Sequence, residues 1–389
     1  MKKIYLLMLA CISVMYSYAA GSLVIPNVEI PQGGIVYVPI NISTDESFSD
    51  AGGDIYTNNS ALSITAAQAG DLCTDHSTTC TDKSGFYRFT CATTSGTMFK
   101  ALTGNILYLK FEDSGANAVG TVYSCNTADW KLARSGYAVV PAQVNFTVTV
   151  VDHYTVSENS TWIPFAKSGA KVLVDRAFTA NQFSTVCLPF GLTAANQKLL
   201  FGDAVEVYNF TGVDYDDSNE SLALNFTALT GSMVPGAPYI VKPSASQSSY
   251  TFNTIALNAN TTEAKQIGIA EEAVTFTDII FKGNYVAGAA VPANDLYLMS
   301  DGKFYTSSGA VKMKATRAYI SISDFLAAAG ISFVKESNLY LDGILTSIDA
   351  LDADGITADG WYDLNGRKLG AKPATKGIYI NNGKKVIVK

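Results

Sequence analysis

The stretch GGIVYVPINIS, residues 33–43, decides the fold class of this chain. Val38, Ile40 and Ile42 fall at every second position, which is the period at which the side chains of a β-strand point to one face of a sheet. A pair of glycines precedes the run and polar residues follow it. The pattern predicts a strand with one buried face that begins and ends at turns.

Runs of the same kind recur along the whole chain, rich in Val, Ile, Tyr, Phe and Thr and separated by Gly, Asn, Asp and Ser. They include 105–112, 142–151, 203–210, 237–243 and 295–300. Helical periodicity is limited to 194–202 and 323–330. In the second of these, Ser323 or Asp324 is the expected N-cap and Gly330 the expected end. We therefore predict an all-β protein with tandem β-sandwich domains followed by a small C-terminal β unit.

The chain has 389 residues, of which 48% are hydrophobic and 16% are charged, so two or three domains are expected. Its formal net charge is −7, and because phosphate binding requires a basic surface, nucleic acid is not an expected partner. Composition divides the chain into a signal peptide (1–20), a first β-sandwich (21–151), a polar join (152–161), a second β domain (162–335), an Asp- and Gly-rich linker (336–360) and a C-terminal β segment (361–389).

The first twenty residues have the features of an export signal. Lys2 and Lys3 are followed by a long apolar run, and small residues stand near Ala19 and Ala20. Lipid attachment at Cys11 is the alternative, but the apolar run continues past this cysteine. Elsewhere the chain lacks the roughly 18 consecutive apolar residues that span a bilayer, so we expect an exported protein without a transmembrane segment after cleavage.

Five cysteines remain after the predicted signal peptide, and four of them cluster in the first β-sandwich. Because export leads to an oxidising compartment, we predict disulfides among Cys73, Cys80, Cys91 and Cys125. Four cysteines allow three pairings; we favour Cys73 with Cys80 and Cys91 with Cys125, since the first pair closes a short polar loop. A zinc site is the less favoured alternative, because the spacings contain no C-x-x-C pair and His76 is isolated.

The fifth cysteine, Cys187, lies in FSTVCLPFGL, residues 183–192. A catalytic thiol needs a base, and the two histidines of the chain, His76 and His153, both lie outside this domain. Cys187 is therefore predicted to fill the core as a small hydrophobic residue.

No G-x-S-x-G elbow and no phosphate-binding glycine loop occurs in the chain, so we predict a protein that is not an enzyme and has no cofactor. Carboxylate catalysis stays open as an alternative, because sequence does not show which acids meet in space. It is less favoured, since a propeller- or barrel-type hydrolase needs a larger continuous catalytic domain than the two blocks offer. The acidic segments 212–221 and 348–361 do not complete the ligand pattern of an EF-hand. We therefore predict no metal site, with a weak calcium loop in the second segment as the alternative to a solvated linker.

Aromatic side chains are the remaining candidates for ligand binding. An exposed Tyr or Trp on a sheet can stack on a sugar ring, and the candidates are Tyr123, Trp130, Tyr137 and Trp162. Burial in the core is the alternative for each of them.

Three segments of the first block together resemble the cohesin-like β-sandwich family: GSLVIPNVEIPQGGIVYVPINIST (21–44), FKALTGNILYLKFE (99–112) and SGYAVVPAQVNFTVTV (135–150). The resemblance implies a sandwich that binds protein modules or carbohydrate through a sheet face. The four cysteines depart from the better-known members, and the chain has no dockerin-like sequence.

The second block resembles a β domain that recurs in secreted proteins of the Bacteroidetes. The segments that carry this resemblance are VDRAFTANQFSTVCLPF (174–190), PGAPYIVKP (235–243), KGNYVAG (282–288), DLYLMSDGKFY (295–305) and TRAYISI (316–322). Phe183 stands where that domain usually has Trp. The resemblance implies a building block of surface proteins without an established activity.

The tail GWYDLNGRKLGAKPATKGIYINNGKKVIVK (360–389) resembles the C-terminal sorting domain of type IX secretion. The residues that carry this resemblance are Tyr362, Asp363, Gly366, Arg367, Gly377, Tyr379, Gly383 and Lys384. NNG at 381–383 independently predicts a tight hairpin turn before a basic final strand. An ordinary terminal hairpin is the alternative.

These observations favour an exported cell-surface or secreted scaffold that binds other molecules without transforming them. The expected partners are a protein or a polysaccharide at the cell surface and, through the tail, the secretion machinery. The alternative function is that of an accessory protein that captures polysaccharide.

Overall fold

A computed structural model describes most of the chain after residue 20. The described residues are 21–346, apart from 217, 261, 263, 268–269, 272–273, 276–278 and 333, together with 361–362, 368–369, 373, 377–381 and 384–388. They form two compact units. The first contains the chain up to Val156 with Ser168–Val174 and Thr251–Ile255, and the second contains Ser157–Lys167, Asp175–Tyr250 and the chain from Ala256. The predicted signal peptide lies outside the described residues and stays a prediction.

The first unit begins with strands that form two sheets. These strands are β1 (Ser22–Val24), β2 (Val28–Pro31), β3 (Ile35–Ser43), β4 (Asp50–Thr57), β5 (Leu62–Ala69), β6 (Ser77–Asp82), β7 (Tyr87–Ala92), β8 (Thr103–Asp113), β9 (Val122–Arg134), β10 (Tyr137–Val139) and β11 (Asn145–Val151). The four-stranded sheet has the order β1-β3-β8-β5. The seven-stranded sheet has the order β2-β11-β9-β4-β7-β6, with β10 beside β9.

One apolar core lies between these two sheets, so the first unit is a β-sandwich. Val38 and Ile40 of β3 are fully buried, as the alternation of the opening stretch predicts. Leu109 and Phe111 of β8 and Val148 of β11 belong to the same core cluster. Burial of each such side chain contributes about 1.5–3 kcal/mol, which makes this core the main source of stability.

Seven further strands follow, namely β12 (Tyr154–Ser157), β13 (Lys167–Asp175), β14 (Ser184–Cys187), β15 (Glu206–Asp216), β16 (Ser221–Ala228), β17 (Pro238–Lys242) and β18 (Tyr250–Leu257). A three-stranded sheet has the order β12-β13-β18. Its first strand lies inside the segment 152–161, which composition assigns to a polar join. Tyr154 and Val156 alternate as buried positions within that segment, which is why it forms a strand.

The second unit is built mainly from two more sheets. The next strands along the chain are β19 (Ala264–Ile267), β20 (Ala270–Glu271), β21 (Val274–Thr275), β22 (Ile279–Asn284), β23 (Ala289–Ala290), β24 (Leu296–Leu298), β25 (Phe304–Thr306), β26 (Lys312–Met313), β27 (Arg317–Ser321), β28 (Glu336–Leu341) and β29 (Ile344–Leu345). A six-stranded sheet has the order β14-β17-β15-β16-β28-β29, and a five-stranded sheet has the order β19-β22-β27-β24-β25. The pairs β20-β21 and β23-β26 are separate.

Aromatic rings from both large sheets meet in the core of the second unit. The ring centroid of Phe226 lies 5.0 Å from that of Phe210 and 5.4 Å from that of Phe281. Strand β28 pairs in parallel with β16, so residues 336–341 belong to the sheet although composition assigns them to a linker. The all-β prediction is confirmed.

Within the described residues, two short helices interrupt the strands, α1 (Ala194–Phe201) and α2 (Ser323–Ala329). The backbone amide nitrogen of Asn196 donates to Thr193 Oγ1 at 3.2 Å, which caps α1. The end of α2 at Gly330 is confirmed, since this residue has a left-handed φ of 69°. The expected N-cap at Ser323 or Asp324 is wrong, because Ile322 occupies the N-cap position without a capping hydrogen bond from its side chain.

The described part of the tail forms a four-stranded antiparallel sheet. Its strands are β30 (Trp361–Tyr362), β31 (Lys368–Leu369), β32 (Gly377–Asn381) and β33 (Lys384–Val388), in the order β31-β30-β32-β33. Asn381 pairs with Lys384, as the hairpin prediction requires. Asp363, Gly366, Arg367 and Gly383 of the sorting-like pattern lie outside the described residues. Across the described part of the chain, no helix has the length and apolar composition needed to cross a membrane.

Candidate binding surface of the first unit

The four-stranded sheet of the first unit has a face that points away from the core. In the register of β3, β8 and β5, Tyr37 pairs with Lys110, which pairs with Ala66. The neighbouring positions on these strands point into the core, so alternation places this row on the opposite side. We call this side the outer face, and its residues are Ile35, Tyr37, Pro39, Ser63, Ala66, Gln68, Tyr108, Lys110 and Glu112.

The two charges on the outer face neutralise each other. Lys110 Nζ donates to Glu112 Oε1, and Thr65 Oγ1 donates to the same oxygen at 2.9 Å. The hydrogen bond from Lys110 holds the pKa of Glu112 below its ordinary value. Beside this pair, Tyr37 and Pro39 are half-exposed. The outer face therefore offers apolar and aromatic surface with almost no net charge.

The opposite outer surface, on the seven-stranded sheet, is more polar. Arg88 of β7 donates to both carboxylate oxygens of Asp54 on β4, each at 2.7 Å. This pairing raises the pKa of Arg88 above its ordinary value. The hydroxyl groups of Thr79 and Thr90 lie 2.7 Å apart on the same surface. In both pairs, the polar groups bond to each other across neighbouring strands.

Two of the predicted sugar-stacking residues lie inside the sandwich, which corrects that expectation. Trp130 is 2% exposed, and its Nε1 donates to the backbone oxygen of Asp54 at 3.1 Å. Tyr123 is fully buried, and its hydroxyl donates to Asp113 Oδ1 while accepting from Asn117 Nδ2 at 3.0 Å. Neither ring presents a face to a ligand, because both pack in the core.

The other two stacking candidates lie nearer the surface, in different units. Tyr137 of the first unit is 36% exposed and stacks on Phe48, with ring centroids 6.2 Å apart. The guanidinium of Arg134 lies 5.0 Å from the centroid of the Tyr137 ring. Trp162 of the second unit is half-buried and stacks on Phe165, with centroids 5.2 Å apart. The structure therefore does not assemble the four candidates into one platform.

All five cysteines in the described part of the chain are thiols. The favoured pairing of Cys91 with Cys125 conflicts with the strand register. Cys91 lies opposite Ala51, which lies opposite Leu132 on β9. Cys125 is seven residues before Leu132 on that strand, a displacement of about 23 Å along its axis. A disulfide needs Cα atoms within about 7 Å, so this pairing is wrong for this fold.

The structure instead brings Cys73 beside Cys91. Their Sγ atoms lie 3.5 Å apart, and both lie near the backbone oxygen of Ile106, at 3.1 Å and 3.5 Å. Cys80, the favoured partner of Cys73, donates from its Sγ to the backbone oxygen of Ile64 at 3.4 Å. Sequence spacing could not reveal this arrangement, because the two cysteines meet through the fold.

Cys187 is fully buried in the second unit, as the core interpretation requires. Its Sγ lies 3.0 Å from the backbone oxygen of Gly236. A Cβ atom added at Gly283 would lie 2.4 Å from the same sulfur, so the thiol fills the space that this glycine leaves.

A buried charge network in the second unit was missed by sequence reasoning. Glu158 accepts from Lys314 at 2.6 Å and from Arg317 at 2.8 Å. Arg176 is 1% exposed and donates to Ser184 Oγ at 2.6 Å and to the backbone oxygen of Thr185 at 2.7 Å. These contacts join segments that are distant in sequence, so the network is a structural support of this unit.

Burial affects the two central charges of this network differently. Burial lowers the pKa of Arg176 well below its ordinary value, because the charged form loses water. Burial alone would raise the pKa of Glu158, but the hydrogen bonds from Lys314 and Arg317 outweigh it and the pKa is lowered. Glu158 is therefore held as a carboxylate, a state that suits an ion pair rather than a proton donor.

A groove of about 460 Å³ lies on the second unit between β25 and β28. Tyr305, Lys335, Glu336 and Asn338 contribute to its walls. Glu336 is the only acid among the described residues that line it. Glycoside cleavage by the usual mechanism needs two carboxyl groups across the substrate, so this groove does not supply that chemistry from the described residues.

No family model and no curated protein matches the sequence of this chain. Solved structures similar to part of it are cohesin domains. A non-cellulosomal cohesin from the hyperthermophilic archaeon Archaeoglobus fulgidus is 17% identical with a TM-score of 0.29, over 34% of this chain and 92% of that chain. The sixth cohesin of scaffoldin B from Acetivibrio cellulolyticus, solved in complex with a Cel5 dockerin, is 19% identical with a TM-score of 0.31, over 34% of this chain and 99% of that chain. The seventh ScaB type I cohesin from Pseudobacteroides cellulosolvens is 22% identical with a TM-score of 0.29, over 34% of this chain and 92% of that chain.

Proposed function

We propose that this chain is an exported, non-enzymatic scaffold whose first unit binds a protein partner through the outer face. The composition of that face carries the proposal. Tyr37, Pro39 and Ile35 provide aromatic and apolar surface, while Lys110 and Glu112 neutralise each other. Protein interfaces are depleted of unpaired charge at their centre and enriched in Tyr, which is the character of this face.

The outer face is smaller than a stable protein interface, so a partner must also contact the surface around it. Three strands about 4.8 Å apart and six residues long cover roughly 300 Å². A stable interface buries about 800 Å² on each partner, so the outer face would form the centre and the adjoining loops the rim. The loop that contains Asp71 lies beside it, because Tyr108 Oη donates to Asp71 Oδ2 at 3.3 Å.

The export part of the proposal is supported by both ends of the sequence. Lys2 and Lys3 followed by an apolar run support entry into an export pathway. The sorting-like pattern of the tail, with Lys384 and Lys385 on β33, supports delivery to the cell surface by a type IX system of the Bacteroidetes. Deletion of 360–389 is expected to retain the protein within the envelope. Unchanged surface display of the shortened chain, measured by protease accessibility on intact cells, would refute this part.

Site-specific photocrosslinking in the producing cells tests the binding face. A photoreactive amino acid at Gln68, which is exposed on the outer face, is expected to crosslink one protein of defined mass. The same amino acid at Lys131, which is exposed on the seven-stranded sheet, is the matched control and should not capture that protein. Tyr37→Asp should abolish the Gln68 crosslink without lowering the melting temperature substantially.

Polysaccharide capture, the alternative, gives a different result in the same experiments. Saturable binding on a glycan array that is lost in Tyr137→Ala and kept in Tyr37→Asp would favour polysaccharide over protein. Equal crosslinking from Gln68 and Lys131 would contradict the outer face as the binding surface.

A further inference from the structure

We propose that Cys73 and Cys91 form a disulfide that joins the two sheets of the first unit. Their sulfur atoms are in contact at 3.5 Å, and a disulfide bond is about 2.05 Å long. The two sulfur atoms need to approach by only about 1.5 Å to form the bond. The proposal concerns a covalent modification and stands whether or not the outer face binds a protein.

The two cysteines belong to opposite layers of the sandwich. The loop before Cys73 continues along the edge of β8, since the amide nitrogens of Gly70 and Leu72 donate to the backbone oxygens of Ile106 and Asn105 at 3.0 Å and 2.9 Å. Cys91 lies in β7 of the seven-stranded sheet. A bond between the two sulfurs would therefore add a covalent link to the side-chain packing and the hydrogen bonds that join the two sheets.

The environments of the two thiols give them different roles in bond formation. Cys73 is half-buried, and a hydrogen bond from the Cys91 thiol lowers the pKa of Cys73. The pKa of Cys91 is raised, first by the same hydrogen bond and then by burial. Because thiolate is the nucleophile, Cys73 is the thiol that meets an external oxidant.

A disulfide-containing oxidant, protein or small molecule, completes the reaction. The Cys73 thiolate attacks one sulfur of the oxidant, whose S–S bond breaks and releases the first thiolate. The Cys91 thiolate then attacks the Cys73 sulfur of the mixed disulfide and releases the second thiolate. The two cysteines lose two electrons and two protons, and the oxidant is reduced to two thiols.

The remaining cysteines of the described residues are poorly placed for this chemistry. Burial raises the pKa of Cys80, and burial raises the pKa of Cys125 to about 12. Cys187 is fully buried in the second unit. We therefore expect one disulfide in the described part of the chain, with Cys80, Cys125 and Cys187 as thiols.

Peptide mapping of the full chain treated with oxidised glutathione tests the pairing. Cleavage after Lys83, Arg88 and Lys100 leaves Cys73 and Cys80 on one tryptic peptide, which also carries Cys11 where the predicted signal peptide is retained, and Cys91 on another. Under non-reducing conditions these two peptides are expected to be crosslinked. The link should persist in Cys80→Ser and disappear in Cys73→Ser, which separates the two cysteines that share a peptide.

Thermal unfolding provides the second measurement. Reduction of the oxidised wild-type chain is expected to lower the melting temperature of the first unit by about 5–10 °C. Cys80→Ser should show the same shift and Cys73→Ser none. Five reactive thiols at positions 73–187 after oxidation, a link that survives in Cys73→Ser, or a link from Cys91 to Cys125 would each overturn the proposal.

Discussion

Asp295 caps helix α2 at Ser323 from a distant part of the chain. Its Oδ1 accepts from the backbone amide and the hydroxyl of Ser323 at 3.2 Å and 2.8 Å, and from the amide of Ile322 at 2.8 Å. Asp295 is 1% exposed and Ile322 is buried, so the amide of Ile322 has little access to water as a replacement, whereas Ser323 is exposed. A carboxylate just before β24 therefore performs the capping role that the sequence assigns to the helix itself.

Replacement of this cap should destabilise the second unit. Asp295→Ala is expected to lower the free energy of unfolding by about 1–3 kcal/mol, because it leaves the buried amide of Ile322 without an acceptor and removes the cap from Ser323. Asp324→Ala, in the exposed first turn of α2, is the matched control and should change the free energy of unfolding by less than about 0.5 kcal/mol. Urea denaturation measures both; equal effects would contradict the cap.

The Tyr123 hydroxyl should matter to stability and not to ligand binding. Tyr123→Phe removes one donor from buried Asp113, which also accepts from the amides of Gly33 and Gly115 at 2.7 Å and 2.8 Å. We expect a loss of about 1–2 kcal/mol in the free energy of unfolding. Tyr137→Phe is the control, with an expected change near zero. Loss of glycan binding in Tyr123→Phe, with stability unchanged, would restore Tyr123 as a ligand residue.

The Glu158 network should make stability depend on pH in one direction. The pKa of Glu158 is lowered in the folded state, so its contribution is present above the unfolded pKa of about 4.3 and is lost as pH falls through the folded pKa. The difference in unfolding free energy between wild type and Glu158→Gln should therefore be constant from pH 6 to 7 and shrink below about pH 4.3. Glu336→Gln, at an exposed position, is the control. A difference that grows on acidification would contradict this assignment.

The contact between Gly283 and Cys187 should appear as coupling between two substitutions. Gly283→Ala places a Cβ 2.4 Å from the Cys187 sulfur and is expected to cost about 1–3 kcal/mol. Cys187→Ala removes that sulfur, so the double variant should lose less stability than the sum of the single variants. Additive losses, measured by a double-mutant cycle in urea, would show that the two sites do not contact each other.

The alternation of apolar residues was sufficient to predict the all-β class and the burial of Val38 and Ile40, and the NNG turn was sufficient to predict the terminal hairpin. An unbroken alternation does not describe strand β9. Buried positions there include Cys125 and then Trp130, so the alternation changes from odd to even numbers between them. Asp129 has a φ of 51°, and the pairing of β9 with β4 shifts at the same place. Such an irregularity moves the following side chains to the other face, so the strand pattern alone did not identify Trp130 as buried.

By itself, the sequence determined the all-β class and the buried face of β3, because the two-residue period of a strand is a local property of neighbouring side chains. Only the tertiary structure decided which distant groups meet: Cys73 with Cys91 between the sheets of the first unit, and Asp295 with the first turn of α2. These contacts depend on the packing of sheets and the register of their strands. The number of residues between two groups does not give their distance in space, because folding brings together residues that are far apart in sequence.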